Sequence, residues 1–223
     1  MNRSITPRTG KRARPSAPWK TPDGPSDQSF EERRLAVLRK AAELFWRRGY
    51  HETSFDVLAA ALGITKPTVY YYVKSKQHCL AEIARLGQEG AMHAVRHVAG
   101  MQASGLDRLI YFFHQYIDVV TSDFGKCIGI ARKHLTDKEQ REIVARIEWA
   151  DQRLYKLFSD AIADGSIAVT DKRVVYELVF GSLNWLSEWY RPDGSLTQVD
   201  VAQAHVASLV KLLKNSEDRP RQN

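Results

Sequence analysis

No proline occurs between Pro67 and Pro192, a stretch covering more than half of the 223-residue chain. A proline inside a helix removes a hydrogen bond and collides with the preceding turn, at a cost of about 3 kcal/mol. Its absence leaves room for long helices, and the apolar residues fit them. They recur every three or four positions, without the strict alternation of a half-buried strand. The spacing predicts an all-α chain. Helices are expected near Leu106–Ser122, Asp137–Asp164, Lys172–Tyr190 and Gln198–Lys214, with a shorter one near Phe124–His134. The Asp137 helix is the best defined. Thr136 and Glu139 form a capping box, Ile143, Ile147, Ala150, Leu154, Leu157 and Ala161 make one stripe, and Gly165 stops it.

Upstream, Ser29 and Glu32 make another capping-box pattern, which predicts a first helix starting at Ser29 with Leu35, Leu38, Ala42 and Phe45 inward. Arg47 and Arg48 suit its C-terminal dipole, and Gly49 can end it. A second helix begins near Thr53–Ser54, buries Phe55, Leu58, Ala59 and Leu62, and ends at Gly63. Thr65 caps a third, from Lys66 to about Val73. Pro67 is tolerated in its first turn, where amides have no intrahelical partner. Ser75 then caps a long fourth helix.

The start of the chain differs in kind. Pro7, Pro15, Pro18, Pro22 and Pro25 stand among Arg3, Arg8, Lys11, Arg12, Arg14 and Lys20, with few large apolar residues. Such a segment buries too little to offset its chain entropy, so residues 1–29 read as a disordered basic tail. An organelle transit peptide would also be rich in arginine and poor in acids, but the prolines oppose the amphipathic helix it needs. Residues 215–223 read as a second disordered tail.

The segment Ser54–Val73 has the arithmetic of a helix-turn-helix. Two short helices flank Gly63-Ile64-Thr65, where the glycine permits the left-handed backbone of a tight turn. Leu58, Ala59, Leu62, Ile64, Val69 and Val73 fall on the inward side. Lys66, Thr68, Tyr70 and Tyr71 face outward, and these are groups that contact base edges and phosphates.

Gly63-Ile64-Thr65-Lys66-Pro67-Thr68-Val69-Tyr70-Tyr71-Tyr72-Val73-Lys74-Ser75-Lys76, preceded by Thr53-Ser54 and Leu58-Ala59, closely resembles the DNA-binding domain of TetR-type bacterial regulators. The match covers about Glu31 to Gln88. It departs at Val73, where the family more often has Phe, and at Gln77, where it often has Glu. The resemblance implies that Lys66 and Thr68 reach bases in the major groove and that Pro67 packs on a thymine methyl. Tyr70 and Tyr71 would contact backbone or bases. Thr65 belongs to the same interface, and Tyr72, Lys76 and Ser54 would hold phosphates. It further implies a helix-turn-helix domain over 30–88 (motif 54–73) and a larger helical ligand-binding and dimerisation domain over 89–214. The protein would act as a homodimer on double-stranded DNA carrying a palindromic operator, as a repressor released by a small hydrophobic effector.

Beyond Gln88 the likeness is loose, with one exception. Asn184-Trp185-Leu186-Ser187-Glu188-Trp189-Tyr190-Arg191-Pro192-Asp193-Gly194 resembles a pattern in family members that sense acyl-CoA thioesters. Trp185 and Trp189 share a helix face, where packing within the core or across a dimer would serve equally well. Aromatic bulk on three helices makes Phe112, Phe113, Tyr116, Trp149, Tyr176, Phe180 and Asn184 the candidate ligand lining, with Arg153 and Arg191 near an anionic tail. A cationic ligand would instead require Glu148 or Glu177. The Lys172–Tyr190 and Gln198–Lys214 helices carry more apolar residues than one core stripe uses, including Val174, Val175, Leu178, Val179, Leu183 and Leu186 on the first and Leu209, Leu212 and Leu213 on the second. They are therefore the expected dimer bundle.

The balance of 33 Lys+Arg against 26 Asp+Glu, net +7, favours an anionic partner such as nucleic acid. No apolar run approaches the ~18 residues of a membrane helix. Cys79 and Cys127 are too few for a disulfide framework, and no signal-peptide core precedes the first helix, so a cytoplasmic protein with reduced thiols is expected. His93 and His97 have metal-binding spacing but lack a third ligand, so no metal or other cofactor is expected. Asp123-Phe124-Gly125 is a kinase tripeptide without the accompanying kinase motifs. No set of acid, base and nucleophile marks the chain as an enzyme, although an all-α protein acting on acyl thioesters is the alternative reading.

Overall fold

The computed structural model describes residues 27–214, which form helices and connecting turns. In chain order the helices are α1 (Asp27–Arg48), α2 (Phe55–Leu62), α3 (Lys66–Tyr72), α4 (Lys76–Ala99), α5 (Gly105–Thr121), α6 (Asp123–Lys126), α7 (Ile128–His134), α8 (Asp137–Ala163), α9 (Lys172–Trp189) and α10 (Gln198–Lys214). The fold is all-α, as the spacing predicts. Of the expected tails over 1–29 and 215–223, residues 1–26 and 215–223 lie outside the described residues.

Most caps are where the sequence puts them. Ser54, Thr65 and Ser75 each accept the amide three residues on, and Thr136 with Glu139 forms the full capping box. Gly63 closes α2 in the left-handed conformation at φ 68°. Two expectations fail. Ser29 does not cap α1, because the helix already runs from Asp27 and residues 27–29 belong to it rather than to a tail. Phe30 supplies the reason: its ring packs on Tyr71 and Tyr72 of α3, and this tertiary contact holds the first turn. The single helix expected near Phe124–His134 is two helices, broken at Cys127. There Gly125 lies so close to α5 that a Cβ would stand 1.9 Å from the Val119 carbonyl oxygen. Only glycine fits such an approach.

Two apolar cores share one long helix. Cys79, Leu80, Ile83 and Ala84 of α4 join α1–α3 in the N-terminal core, while Ala94, Val95 and Val98 join α5, α8, α9 and α10 in the second. The expected boundary at Gln88 therefore falls inside an unbroken helix. The N-terminal core also takes Cys127, Ala131, Leu135 and Ile143 from the α6–α8 region, so the N-terminal unit is completed by residues far along the chain.

The apolar residues of α9 divide between two faces. Val175, Val179, Leu183 and Leu186 are buried within the protomer, whereas Val174, Leu178, Trp185 and Trp189 are exposed at helical spacing. Val199 and Leu212 of α10 are likewise exposed, while Leu209 and Leu213 are buried.

Candidate nucleic-acid interface and ligand cavity

The helix-turn-helix is built from α2 and α3. Leu58, Ala59 and Val69 are buried between them, with Leu62 and Ile64 partly so. This packing turns Lys66, Pro67, Tyr70 and Tyr71 outward; Tyr70 is 50% and Tyr71 64% exposed. Large aromatics so far out of water's exclusion are unusual on a surface and suit a face that meets another molecule. Ser54 and Thr65 are exposed at the starts of the two helices, and the Thr65 and Thr68 hydroxyls share a 2.8 Å hydrogen bond. Lys66 pairs with Asp56 of α2 at 2.8 Å, and that bond raises its pKa.

Two expected contacts sit differently. Tyr72 is half-buried against Phe30 and Tyr71. The Lys76 ammonium donates to the His51 carbonyl at 3.2 Å and lies 4.3 Å above the Tyr50 ring, and partial burial lowers its pKa. It is tied to the α1–α2 turn rather than extended into solvent.

A cavity of about 600 Å³ opens in the C-terminal half, between α4, α5, α7, α8 and α9. Of the candidate lining, Phe112, Tyr116, Phe180 and Asn184 border it. The Tyr116 hydroxyl donates to Asn184 Oδ1 at 2.6 Å, and burial pushes its pKa up to about 12, so it stays a neutral donor. Phe113 is fully buried behind the wall. Tyr176 is also buried, its hydroxyl bound to Asp151 Oδ1 at 2.6 Å, and Trp149 lies beneath the Arg153 guanidinium at 3.9 Å. These three do not line the cavity; the core takes the first two and a cation–π contact the third.

The charges also differ from expectation. Arg191 stands over Trp46 and Arg153 over Trp149. The cations on the cavity are Arg132 and Lys133 of α7 and Arg146 of α8, and its acids are Asp151 and Glu188 rather than Glu148 or Glu177. Gln88 was missed as well. It borders the cavity; its amide donates to the Ile143 carbonyl at 2.9 Å, and its Oε1 is buried without a hydrogen-bond partner. The signal was present: Gln88 interrupts the apolar row Leu80, Ala84, Ala91, Val95 on α4. A polar residue at such a position needs a partner.

The α6–α7 elbow joins cavity and reading head. Ile128, Gly129, Arg132 and Lys133 border the cavity. On the other side the Cys127 thiol donates to the Ala42 carbonyl at 3.5 Å, and His134 stacks on Tyr50 at 4.9 Å. Buried Lys126 sits 4.0 Å over Trp46 of α1.

A two-helix reading head with outward cation, hydroxyl and phenol groups, joined to a larger helical domain, defines a DNA-binding regulator. Residues 37–83 match the family model described as bacterial regulatory proteins, tetR family. Residues 102–213 match that of the tetracyclin repressor-like C-terminal domain. The chain belongs to the TetR family of transcriptional regulators, and it is a regulator rather than an enzyme. It is 24% identical over 201 residues to the HTH-type transcriptional repressor KstR2 of Mycolicibacterium smegmatis, covering 88% of this chain and 97% of that protein. Among solved structures it resembles the TetR family regulator PfmR of Thermus thermophilus, with TM-score 0.70, 25% identity and coverage of 80% of this chain and 99% of that one. It also resembles AibR in complex with isovaleryl coenzyme A and operator DNA, with TM-score 0.64, 29% identity and coverage of 79% and 97%.

Proposed function

We propose that the chain is a homodimeric, cytoplasmic repressor that binds a palindromic operator through α3 and is released from it by an acyl-CoA thioester. The cavity carries this reading. Phe112, Phe180, Val95 and Leu154 give it apolar walls for an acyl chain. Gln88 Oε1 offers an acceptor to an amide such as those of a pantetheine arm. Arg132, Lys133 and Arg146 suit the nucleotide phosphates. The AibR complex, which holds a coenzyme A thioester, supports the same ligand class.

In this reading Ser54, Thr65, Lys66, Pro67, Thr68, Tyr70 and Tyr71 meet DNA directly. Tyr72 serves mainly to anchor the helix, and Lys76 reaches phosphate only by leaving the His51 carbonyl. One short helix reads few base pairs, so two copies must act together, with their reading helices about 34–36 Å apart. The exposed face of Val174, Leu178, Trp185, Trp189, Val199 and Leu212 is the surface that pairs them. A ligand between α4, α7 and α8 presses on the elbow that holds Ala42 and Tyr50, changing the spacing of the heads. DNA and ligand then oppose each other by linkage.

The test is isothermal titration and operator release with CoA thioesters of several chain lengths, the matched free acids, and a hydrophobic cation. Thioesters alone should release DNA. Release by the cation alone would assign the cavity to Asp151 and Glu188 and overturn the acyl-CoA reading.

A further inference from the structure

Among the described residues, Lys126 is the one charged side chain that is buried. Its ammonium has no hydrogen-bond partner. A buried charge in that position is costly, and burial lowers its pKa accordingly. What faces it is aromatic: Nζ lies 4.0 Å from the ring centroid of Trp46 and 5.3 Å from that of Tyr190. Trp46 belongs to the last turn of α1, just before the turn that leads into the helix-turn-helix. Two more cations stand over the same indole, the guanidinium of Arg47 at 4.9 Å and that of Arg191 at 5.5 Å. A ring has two faces, so three cations cannot each have one alone, and the charges of Arg191 and Arg47 both oppose that of Lys126. A seat contested in this way is one that a small displacement can reassign.

The two cations that do not belong to α1 come from the walls of the cavity. Lys126 stands between Gly125 and Ile128, which both border it. Arg191 follows Ser187 and Glu188, which border it as well, and its guanidinium donates to the Glu188 carbonyl at 2.8 Å. Two separate wall segments, the end of α6 and the end of α9, thus each place a charge on one indole of α1. Arg47, beside that indole, is in turn paired with Asp193 in the loop after α9 at 3.2 Å. Movement of either segment changes which cations the ring holds.

We propose that Trp46 is the positioning residue that transmits occupancy of the cavity to the reading head, with Lys126 and Arg191 as the two arms that sense the cavity walls. The proposal rests on the reading of the chain as a ligand-released repressor and names a contact that carries the release. A thioester that displaces α6 or the end of α9 redistributes the cations over the indole, and α1 moves with its ring. Coupling is reciprocal, so operator binding disturbs the same contact in the absence of any thioester.

The experiment uses the full-length dimer, an operator selected from random duplexes by that chain, and straight-chain CoA thioesters, octanoyl-CoA among them, as probes. The readout is the ratio of operator Kd with and without saturating thioester. Lys126→Met and Trp46→Leu should each cut the wild-type ratio by about fivefold or more. Operator affinity without thioester, and thioester affinity without DNA, should stay within about twofold, as for changes distant from both sites. Trp46→Phe keeps a ring and should keep most of the ratio. Lys126→Met should melt no lower than the wild type, because it replaces a buried charge by an apolar chain of similar length. Loss of coupling without loss of stability separates transmission from mere packing; a ratio that falls only where the melting midpoint falls, or that does not fall at all, overturns the proposal. A second readout needs no thioester. In protein labelled with fluorotryptophan, the fluorine line missing from Trp46→Phe is that of Trp46. It should shift when operator is added, and the shift should be at least halved in Lys126→Met. A line that operator leaves in place, or an equal shift in both proteins, overturns the proposal. If no thioester releases the wild type, the acyl-CoA reading fails, and the operator-induced shift alone decides for or against the Trp46 contact.

Discussion

Lys66 and Lys76 are both basic side chains near the reading helix, yet the fold gives them different tasks. Lys66 is exposed and bound only to a carboxylate that is itself exposed, an exchangeable contact that a guanine edge can replace. Lys66→Ala should cost about tenfold or more in operator affinity per lost base contact and relax the preferred sequence at symmetric positions. Binding measured on operator and random duplexes separates this from a backbone role, which would weaken both alike. Lys76→Ala distinguishes two outcomes. If the ammonium leaves His51 for phosphate, the salt slope flattens by about two units per dimer, at roughly 0.9 per contact. If it serves the turn, the slope stays and thermal stability drops. Gln88→Leu fills an acceptor site with an apolar group of similar length; it should weaken thioester binding by about tenfold, measured by calorimetry, with operator affinity unchanged.

At the level of elements, the sequence disclosed what local chemistry decides and hid what distant contacts decide. Capping residues and the Gly63 turn placed α2, α3, α4 and α8 to within a residue or two, because those signals act through their own neighbours. The break at Cys127 was hidden, since its contacts are distant, the Cys127 thiol on the Ala42 carbonyl and Lys126 over Trp46 of α1, while beside it Gly125 stands against the Val119 carbonyl of α5. Gly125→Ala should therefore destabilise by about 1–3 kcal/mol or displace α6, seen as a lower midpoint in thermal melting. In the candidate site, Phe112 and Phe113 are adjacent and equally apolar, and only the packing of α9 decides that the first meets the cavity and the second does not. The elbow also carries a pH dependence. Burial, followed by His51, Lys133 and Lys76, lowers the pKa of His134 below its ordinary 6.5. The unfolded chain then takes up that proton first, so stability is intact above that value and is lost as pH falls through it. Burial shifts His205 in the same direction. Chemical denaturation at pH 7.5 and 5.5 should show the acid loss reduced, though not abolished, in His134→Gln.

For the whole molecule, the exposed face of α9 predicts the assembly. Leu178→Glu places a charge in the middle of the Val174–Trp189 stripe and should turn the dimer into a monomer in sedimentation at micromolar concentration. Operator binding should fall with it, because a single reading helix lacks the second half-site. A stable wild-type monomer would overturn the arrangement. The two cores joined through α4 have a further bearing on recombination between relatives. A chimera spliced at Gln88, where sequence similarity suggests the seam, would leave the transplanted head without Cys127, Ala131, Leu135 and Ile143, its own partners from the far side of the splice. Such hybrids inherit foreign side chains in the floor of the reading head. Exchange of effector specificity between family members is thus easier by altering cavity walls in place than by trading whole domains.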